Sequence, residues 1–414
     1  MNEKTDVGKN NYWSMIVEGG FYFAGYTFFD AYVIIPVFVD ALTGNLKLAG
    51  LAVALKLSLF IIPQLLMGLY TARIKNVPMF LGITGFSGRA AFFAVPLILL
   101  TNANPYIKVS ILYFALAAAS FADGLTNVPW LDILGRTIEP AKRGRLMGYQ
   151  MLLGGVGGLG AGLLIKRMLA GNGTIESKYA SVFLIGAIVI TISGLLLFTL
   201  KDSRGNVTVA CEPHILKYLK GLRRFLLDNQ DYRKLIATQV LANFSGLAAP
   251  LYVLFAKSHF SLDAKKVTTL IFVQIMGGLF SGIAWGNLSH RKGNRFTIQA
   301  SLIGNAFLAA LAMFLYLYGA KNAMAPLTIM VFIAGILQGG WLGYTNYLLD
   351  IVPDKERPAY IALTSTILFP FTLIPFIGGV IADTAGFPAV FLAVEAFVLL
   401  ALSMSFGLKE KHSN

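Results

Sequence analysis

Six ionisable side chains stand inside long apolar segments of this 414-residue chain: Glu18, Asp30, Lys56, Arg89, Asp123 and Glu395. A charge held within a bilayer costs about 2.5–3.5 kcal/mol on insertion scales, so each needs a partner or a task. Counting from the segment ends puts Lys56, Arg89 and Asp123 near mid-depth, with Asp30 towards the outer side. Two acids and two bases at similar depth have two chemical uses. They can form a static ion-pair cluster that locks helices together. Alternatively, Asp30 or Asp123 takes up and releases a proton, with Lys56 or Arg89 as counter-ion or solute contact. On the second reading, Asp30→Asn or Asp123→Asn abolishes accumulation driven by a pH gradient and leaves exchange partly intact. Glu18 lies close enough to the end of its segment to be expected as a solvated or capping residue.

Uncharged polar residues recur at helical spacing around these charges. Ser120, Asp123, Asn127 and Trp130 fall on one helix face, and Tyr22, Tyr26 and Asp30 follow four-residue steps. Gln239 and Asn243, then Gln274, then Gln338, Trp341 and Thr345 continue the pattern in later segments. Such residues are costly against lipid, so an inward face is expected, where they either line a cavity or bond to neighbouring helices. The run FYFAGYTFF (21–29) reads as packing, although its tyrosines could stack on a sugar or another ring.

The elements that carry these residues are set by composition. Hydrophobic residues make up 56% of the chain and charged residues 13%, about half the charge of an ordinary soluble domain. Apolar stretches long enough to span a hydrocarbon core of about 30 Å recur at 13–39, 46–70, 77–100, 107–134, 145–166, 179–200, 233–256, 267–289, 296–318, 325–349, 358–382 and 387–408. Continuous apolar runs separated by polar turns predict an all-α membrane protein rather than a β-barrel. The polar start MNEKTDVGKNN leads into a span too long for a signal-peptide core, so the first helix is read as retained. Cys211 is the single cysteine, and the four histidines are scattered. No metal or cofactor is expected.

The net charge of +14 is unevenly shared. With an even number of spans, the side holding both termini and alternate loops collects 23 of the 34 Lys/Arg residues. That bias predicts cytoplasmic termini in a plasma (inner) membrane and explains the basicity without nucleic acid. The expected partners are therefore a small solute, protons and the lipid bilayer, with the chain acting as a monomer.

A polar interval at 201–232 divides the chain into six-helix bundles at 1–200 and 233–414. Within it, Ile215, Leu219, Leu222 and Leu226 share one face, with Lys217, Lys220, Arg223 and Arg224 largely elsewhere. This pattern predicts an amphipathic helix on an anionic surface. The two halves echo each other. NVPWLDILGRTIEPAKRGR carries Asp132 and Arg143, and WLGYTNYLLDIVPDKERPA carries Asp350 and Arg357. MGLYTARIKNVPMF likewise corresponds to WGNLSHRKGNRFTI.

On these features the chain resembles the major facilitator superfamily, whose loop motif runs Gly-x-Leu-x-Asp-Arg-x-Gly-Arg. Gly286, Leu288, Arg291 and Gly293 match it, with His290 in place of the Asp, Asn294 in place of the next Arg, and Arg295 following. The first copy keeps Gly68 and Arg73, with Ala72 at the Asp position. Lacking that Asp, the loops leave Asp132 and Asp350 to pair with nearby arginines. The resemblance implies twelve transmembrane helices in two six-helix bundles, alternating access to a central site, and spans one, four, seven and ten as its lining.

Within the fifth segment, Gly155, Gly157 and Gly160 fit the dinucleotide pattern G-x-G-x-x-G, but no strand precedes them and the run stays apolar. Gly154, Gly158 and Gly162 instead repeat G-x-x-x-G, a spacing for close helix packing and here for a sliding contact between bundles. A bulky residue at Gly158 is expected to impair transport more than folding. No motif for an enzyme or an ATP-driven motor is present. The leading expectation is a secondary active transporter of a small polar or anionic organic solute, coupled to protons by symport. The alternatives are a proton-coupled exporter of amphipathic compounds, although span five lacks the Gly-Pro pair common in such exporters, and a non-transporting membrane sensor.

Overall fold

Every regular element in the computed structural model is helical, across the described residues 2–71, 74–202, 229–319, 323–352 and 357–409. The predicted amphipathic helix around Ile215–Leu226, and Arg73, lie outside them. The chain divides into two compact units, one of Met1–Thr43 with Leu55–Pro213 and the other of Gly44–Ala54 with His214–Asn414.

In the first unit, α1 (Asn2–Phe28) and α2 (Ile34–Thr43) together make the first crossing. The sequence predicts one unbroken span here, and the structure interrupts it at 29–33. Asp30 makes the break: its Oδ1 accepts the backbone N–H groups of Tyr32 (2.9 Å) and Val33 (2.7 Å), capping α2. Then follow α3 (Leu46–Tyr70), α4 (Val77–Ala90) with α5 (Ala94–Leu99), α6 (Pro105–Thr137), α7 (Pro140–Ala170) and α8 (Ile175–Leu196). The polar start of α1 is built into this unit. Asn11 donates to Thr137 Oγ1 and to the Lys201 carbonyl, and accepts from the Lys201 N–H at 2.8 Å.

Helices α1 and α7 run parallel and close together, which their glycines permit. A Cβ on Gly154 would stand 2.5 Å from Phe23 Cβ, and one on Gly157 would stand 2.7 Å from Ala24 Cβ. Gly154, Gly158 and Gly162 are all buried. Gly154 therefore packs within its own unit, against α1. Gln150, itself buried, donates to the Met15 carbonyl and closes the same seam.

The second unit contains α9 (Gln230–Ala242), α10 (Tyr252–His259), α11 (Ala264–Lys292), α12 (Asn294–Tyr318), α13 (Met324–Leu337), α14 (Trp341–Ile351), α15 (Arg357–Leu368) and α16 (Ile374–Ser405). Residues 363–405 form a 43-residue apolar helical stretch. That is about 65 Å at 1.5 Å per residue, twice a hydrocarbon core. Gly386, at φ 82°, turns it back and makes two crossings of it. Ten segments qualify as spans by length and hydropathy among the described residues. Dividing the last at Gly386 and adding the interrupted α1–α2 crossing gives the twelve-helix membrane fold.

Two further breaks in the crossings lie at prolines. Span seven is interrupted over 243–251 beside Pro250, and span eleven over 369–373 at Pro370. Span ten breaks at 338–340 without a proline. The Ile336 carbonyl there accepts from the Ser281 hydroxyl and the Trp285 indole, both at 2.7 Å. Two side chains of α11 thus bond to an acceptor beside the interruption.

Candidate functional site

The first unit gathers its charges around Arg89 on α4. Arg89 is 3% exposed and makes four side-chain hydrogen bonds. Its Nε and Nη2 donate to Asp123 Oδ1 at 3.3 and 3.2 Å, and its Nη1 donates to Glu18 Oε1 (3.2 Å) and Ser193 Oγ (2.8 Å). The other oxygen of Asp123 accepts from Tyr22 (3.1 Å) and Tyr26 (2.5 Å). The Asp123 carboxylate therefore accepts four bonds, as an ionised acid in low dielectric requires.

Two aromatic faces complete the electrostatics. Arg89 lies 4.8 Å over the Tyr22 ring and Lys56 lies 4.6 Å over the Tyr26 ring. Such contacts hold a cation where water is scarce. The Lys56 ammonium also feels Asp30 and Asp123 through space. Helices α1, α3, α4, α6 and α8 each contribute at least one side chain to this cluster.

Sequence periodicity finds Tyr22, Tyr26, Arg89 and Asp123, and the structure brings these four together. It misses Glu18 and Ser193. Glu18 was expected to be wetted or capping, but it is 5% exposed and ion-paired to Arg89. The reason lies in α1, which begins at Asn2 and is anchored at Asn11, so the residues after it run inside the bundle. Ser193 sits alone in an apolar span, with no periodic signal to mark it. Asp30 bonds to the start of its own helix and not to Arg89.

Along α6, Ser120 is buried with no partner for its hydroxyl, and Asn127 is half-buried. Trp130 packs on the core of Met15, Ile16, Ile133 and Leu134, and its indole N–H has no acceptor in hydrogen-bond geometry although it faces Glu18. Asp132 pairs with Arg136 at 2.9 Å, and Arg136 continues to Asp202 at 2.7 Å. Arg143 turns back to the Gly135 and Ile138 carbonyls, fastening the turn between α6 and α7.

The second unit brings its polar candidates together less closely. Asn243 donates back to the Gln239 carbonyl at 2.8 Å, closing α9. Gln274 is buried with an unpartnered Oε1. Gln338 falls in the break of span ten, and Trp341 and Thr345 are exposed. Apart from that Asn243–Gln239 bond, no hydrogen bond joins these residues among the described ones. Near the α11–α12 turn, Gly286 and Arg291 are exposed, and Gly293 takes φ 83°. Asp350, expected to pair with an arginine, accepts from Asn294 at 2.6 Å, the residue standing where the motif has Arg. Gly68 lies in the last turns of α3, and Arg357 opens α15.

Twelve apolar crossings, interrupted helices and a buried charge cluster define a polytopic helical membrane protein of transporter architecture. The chain belongs to the Major Facilitator Superfamily, which matches residues 20–368 and 235–413. It is 23% identical over 376 residues to an uncharacterised protein of Mycobacterium tuberculosis, covering 87% of this chain and 69% of that one. It is 34% identical over 158 residues to the multidrug resistance protein MdtG of Proteus mirabilis, covering 36% of this chain and 37% of the relative. Its fold is similar to the nucleoside transporter NupG, with a TM-score of 0.70 at 11% identity over 97% of this chain and all of that one. A D-xylose–proton symporter gives a TM-score of 0.67 at 15% identity over 95% and 96% of the two chains.

Proposed function

We propose that the protein is a secondary active transporter that carries a small polar or anionic organic solute by alternating access, in symport with protons. One observation carries the proton coupling. Three acids (Glu18, Asp30, Asp123) stand against two bases (Lys56, Arg89) in and around the cluster, so one negative charge has no matching cation. In a low-dielectric interior an unmatched charge is costly, and a bound proton removes it.

The bonding pattern supports one carboxyl over the others. Asp123 accepts four hydrogen bonds, and Asp30 accepts two backbone N–H groups while facing Lys56. Glu18 holds one bond from Arg89. Glu18 is thus the least stabilised anion and the assigned proton carrier, with Arg89 as its switchable counter-ion. The half-buried and buried amides of α9, α11 and span ten are the assigned solute contacts.

The test is uptake into proteoliposomes with a panel of sugars, carboxylates and nucleosides preselected by thermal shift. A solute that accumulates only with an imposed pH gradient, acidic outside, is the expected result. Accumulation that survives dissipation of the gradient overturns the coupling, and binding without flux makes the protein a sensor. A second reading, proton-coupled export of amphipathic compounds, is favoured by the 34% identity to MdtG. It predicts extrusion of dyes from energised vesicles and no accumulation of polar solutes.

A further inference from the structure

Two hollows lie on the α1–α7 pair in axial order. The first, of about 750 Å³, opens at the end bearing the N-terminus and is lined by Lys9, Trp13, Arg136, Lys142, Arg145 and Tyr149, among others. The second, of about 370 Å³, is an apolar groove further along the same pair, lined by Val17, Phe21, Phe28, Leu153, Gly157 and Leu164, among others. We propose that together they bind one anionic phospholipid, with the headgroup in the basic cavity and an acyl chain in the groove.

The charges of the upper cavity are not all spoken for. Arg136 is engaged by Asp132 and Asp202, and Lys142 by Glu139. Lys9 and Arg145 are exposed and have no acidic partner among the described residues. A phosphate oxygen between them completes two charge-assisted contacts. Trp13 and Tyr149 are 57% and 42% exposed beside them. Each has an apolar body and a polar tip, as residues at the boundary of headgroup and hydrocarbon do.

The groove has the dimensions of one leaflet. Val17 to Phe28 on α1, and Leu153 to Leu164 on α7, each cover about 16 Å at 1.5 Å per residue, close to half of a core about 30 Å thick. Gly20 and Gly157 line its wall, where they let α1 and α7 approach closely. A soluble phosphate would use the cavity and leave the groove without an occupant, whereas a lipid fills both. With both termini on the cytoplasmic side, as composition predicts, the cavity faces the leaflet rich in anionic lipid.

Thermal unfolding of the full-length protein in detergent tests this directly, with three probes: phosphatidylglycerol, phosphatidylcholine and glycerol 3-phosphate. Phosphatidylglycerol should raise Tm saturably, with an apparent Kd at least tenfold tighter than that of phosphatidylcholine. Glycerol 3-phosphate should leave Tm unchanged. Lys9→Gln with Arg145→Gln should bring the two lipids to parity, and Lys9→Arg with Arg145→Lys should keep the preference. Val17→Trp, at a site 38% exposed, should weaken both lipids by obstructing the groove. Equal affinities in the wild type, a preference that survives the double Gln variant, or unchanged binding in Val17→Trp would each overturn the site. A Tm rise with glycerol 3-phosphate matching that of the lipid would identify a soluble phosphate as the occupant and overturn the lipid assignment. Detergent binding is independent of orientation and of flux, so neither can mask the result.

Discussion

Arg89 holds two carboxylates and a serine hydroxyl from three other helices, and its removal leaves Glu18 and Asp123 buried without their cation. Breaking a buried pair from one side costs about 3–5 kcal/mol. Arg89→Met should accordingly lower the Tm of purified protein by well over 5 °C. Arg89→Lys should recover little, because one ammonium cannot reach both acids with the fork of a guanidinium. Glu18→Gln separates coupling from folding. The amide keeps an oxygen for Arg89, so Tm should stay within a few degrees, while pH-driven accumulation falls at least tenfold and counterflow exchange continues. Accumulation at the wild-type level in Glu18→Gln would return the carrier role to Asp123 or Asp30. The sequence revealed Asp123, Arg89 and the two tyrosines because mid-span charges and four-residue steps are visible without coordinates. Glu18 was misjudged because depth was counted from residue 13, whereas the helix starts eleven residues earlier and its polar beginning is tied into the bundle.

Between residues 28 and 34 the first crossing is two helices, and Asp30 is the hinge between them. Side-chain capping of this kind is worth about 1 kcal/mol and needs only an acceptor oxygen. Asp30→Asn should therefore fold and transport close to wild type, whereas Asp30→Ala should lose about 1 kcal/mol, read as a lower Tm. Failure of Asp30→Asn in pH-driven uptake alone, with normal stability, would give Asp30 the proton-carrying role. The glycine face of α7 offers a paired test. Gly154→Leu drives a side chain into Phe23 on α1 and should abolish a monodisperse product. Gly155→Ala meets nothing within 4 Å and should be neutral or stabilising by up to about 1 kcal/mol. The G-x-x-x-G spacing thus declared a close helix contact, but not which helix would receive it. A spacing states how near a neighbour can come, and the identity of that neighbour is a tertiary fact. The break at 338–340 was hidden for a related reason: it has no proline, and the Trp285 and Ser281 bonds to the Ile336 carbonyl come from another helix.

Span number was legible because a bilayer enforces it residue by residue: about 20 apolar positions per crossing, and polar turns between. The exception, the 43-residue stretch over spans eleven and twelve, resolves at Gly386, whose positive φ a larger residue would resist. What hydropathy leaves open is the orientation of the whole bundle, which rests on charge. Lysines and arginines are retained on the cytoplasmic side during insertion, and 23 of the 34 fall on the side of both termini. A bias that large makes the reverse topology costly at nearly every loop, so one orientation should dominate. In a Cys211→Ser background, Asn172→Cys lies in the exposed turn between α7 and α8, and Lys292→Cys lies at the exposed end of α11. A membrane-impermeant maleimide applied to intact cells should label Asn172→Cys, and should reach Lys292→Cys only after permeabilisation. Labelling of Lys292→Cys in intact cells would reverse the orientation and move the basic α1–α7 cavity to the outer leaflet, where anionic lipid is scarce and its charge would serve no headgroup.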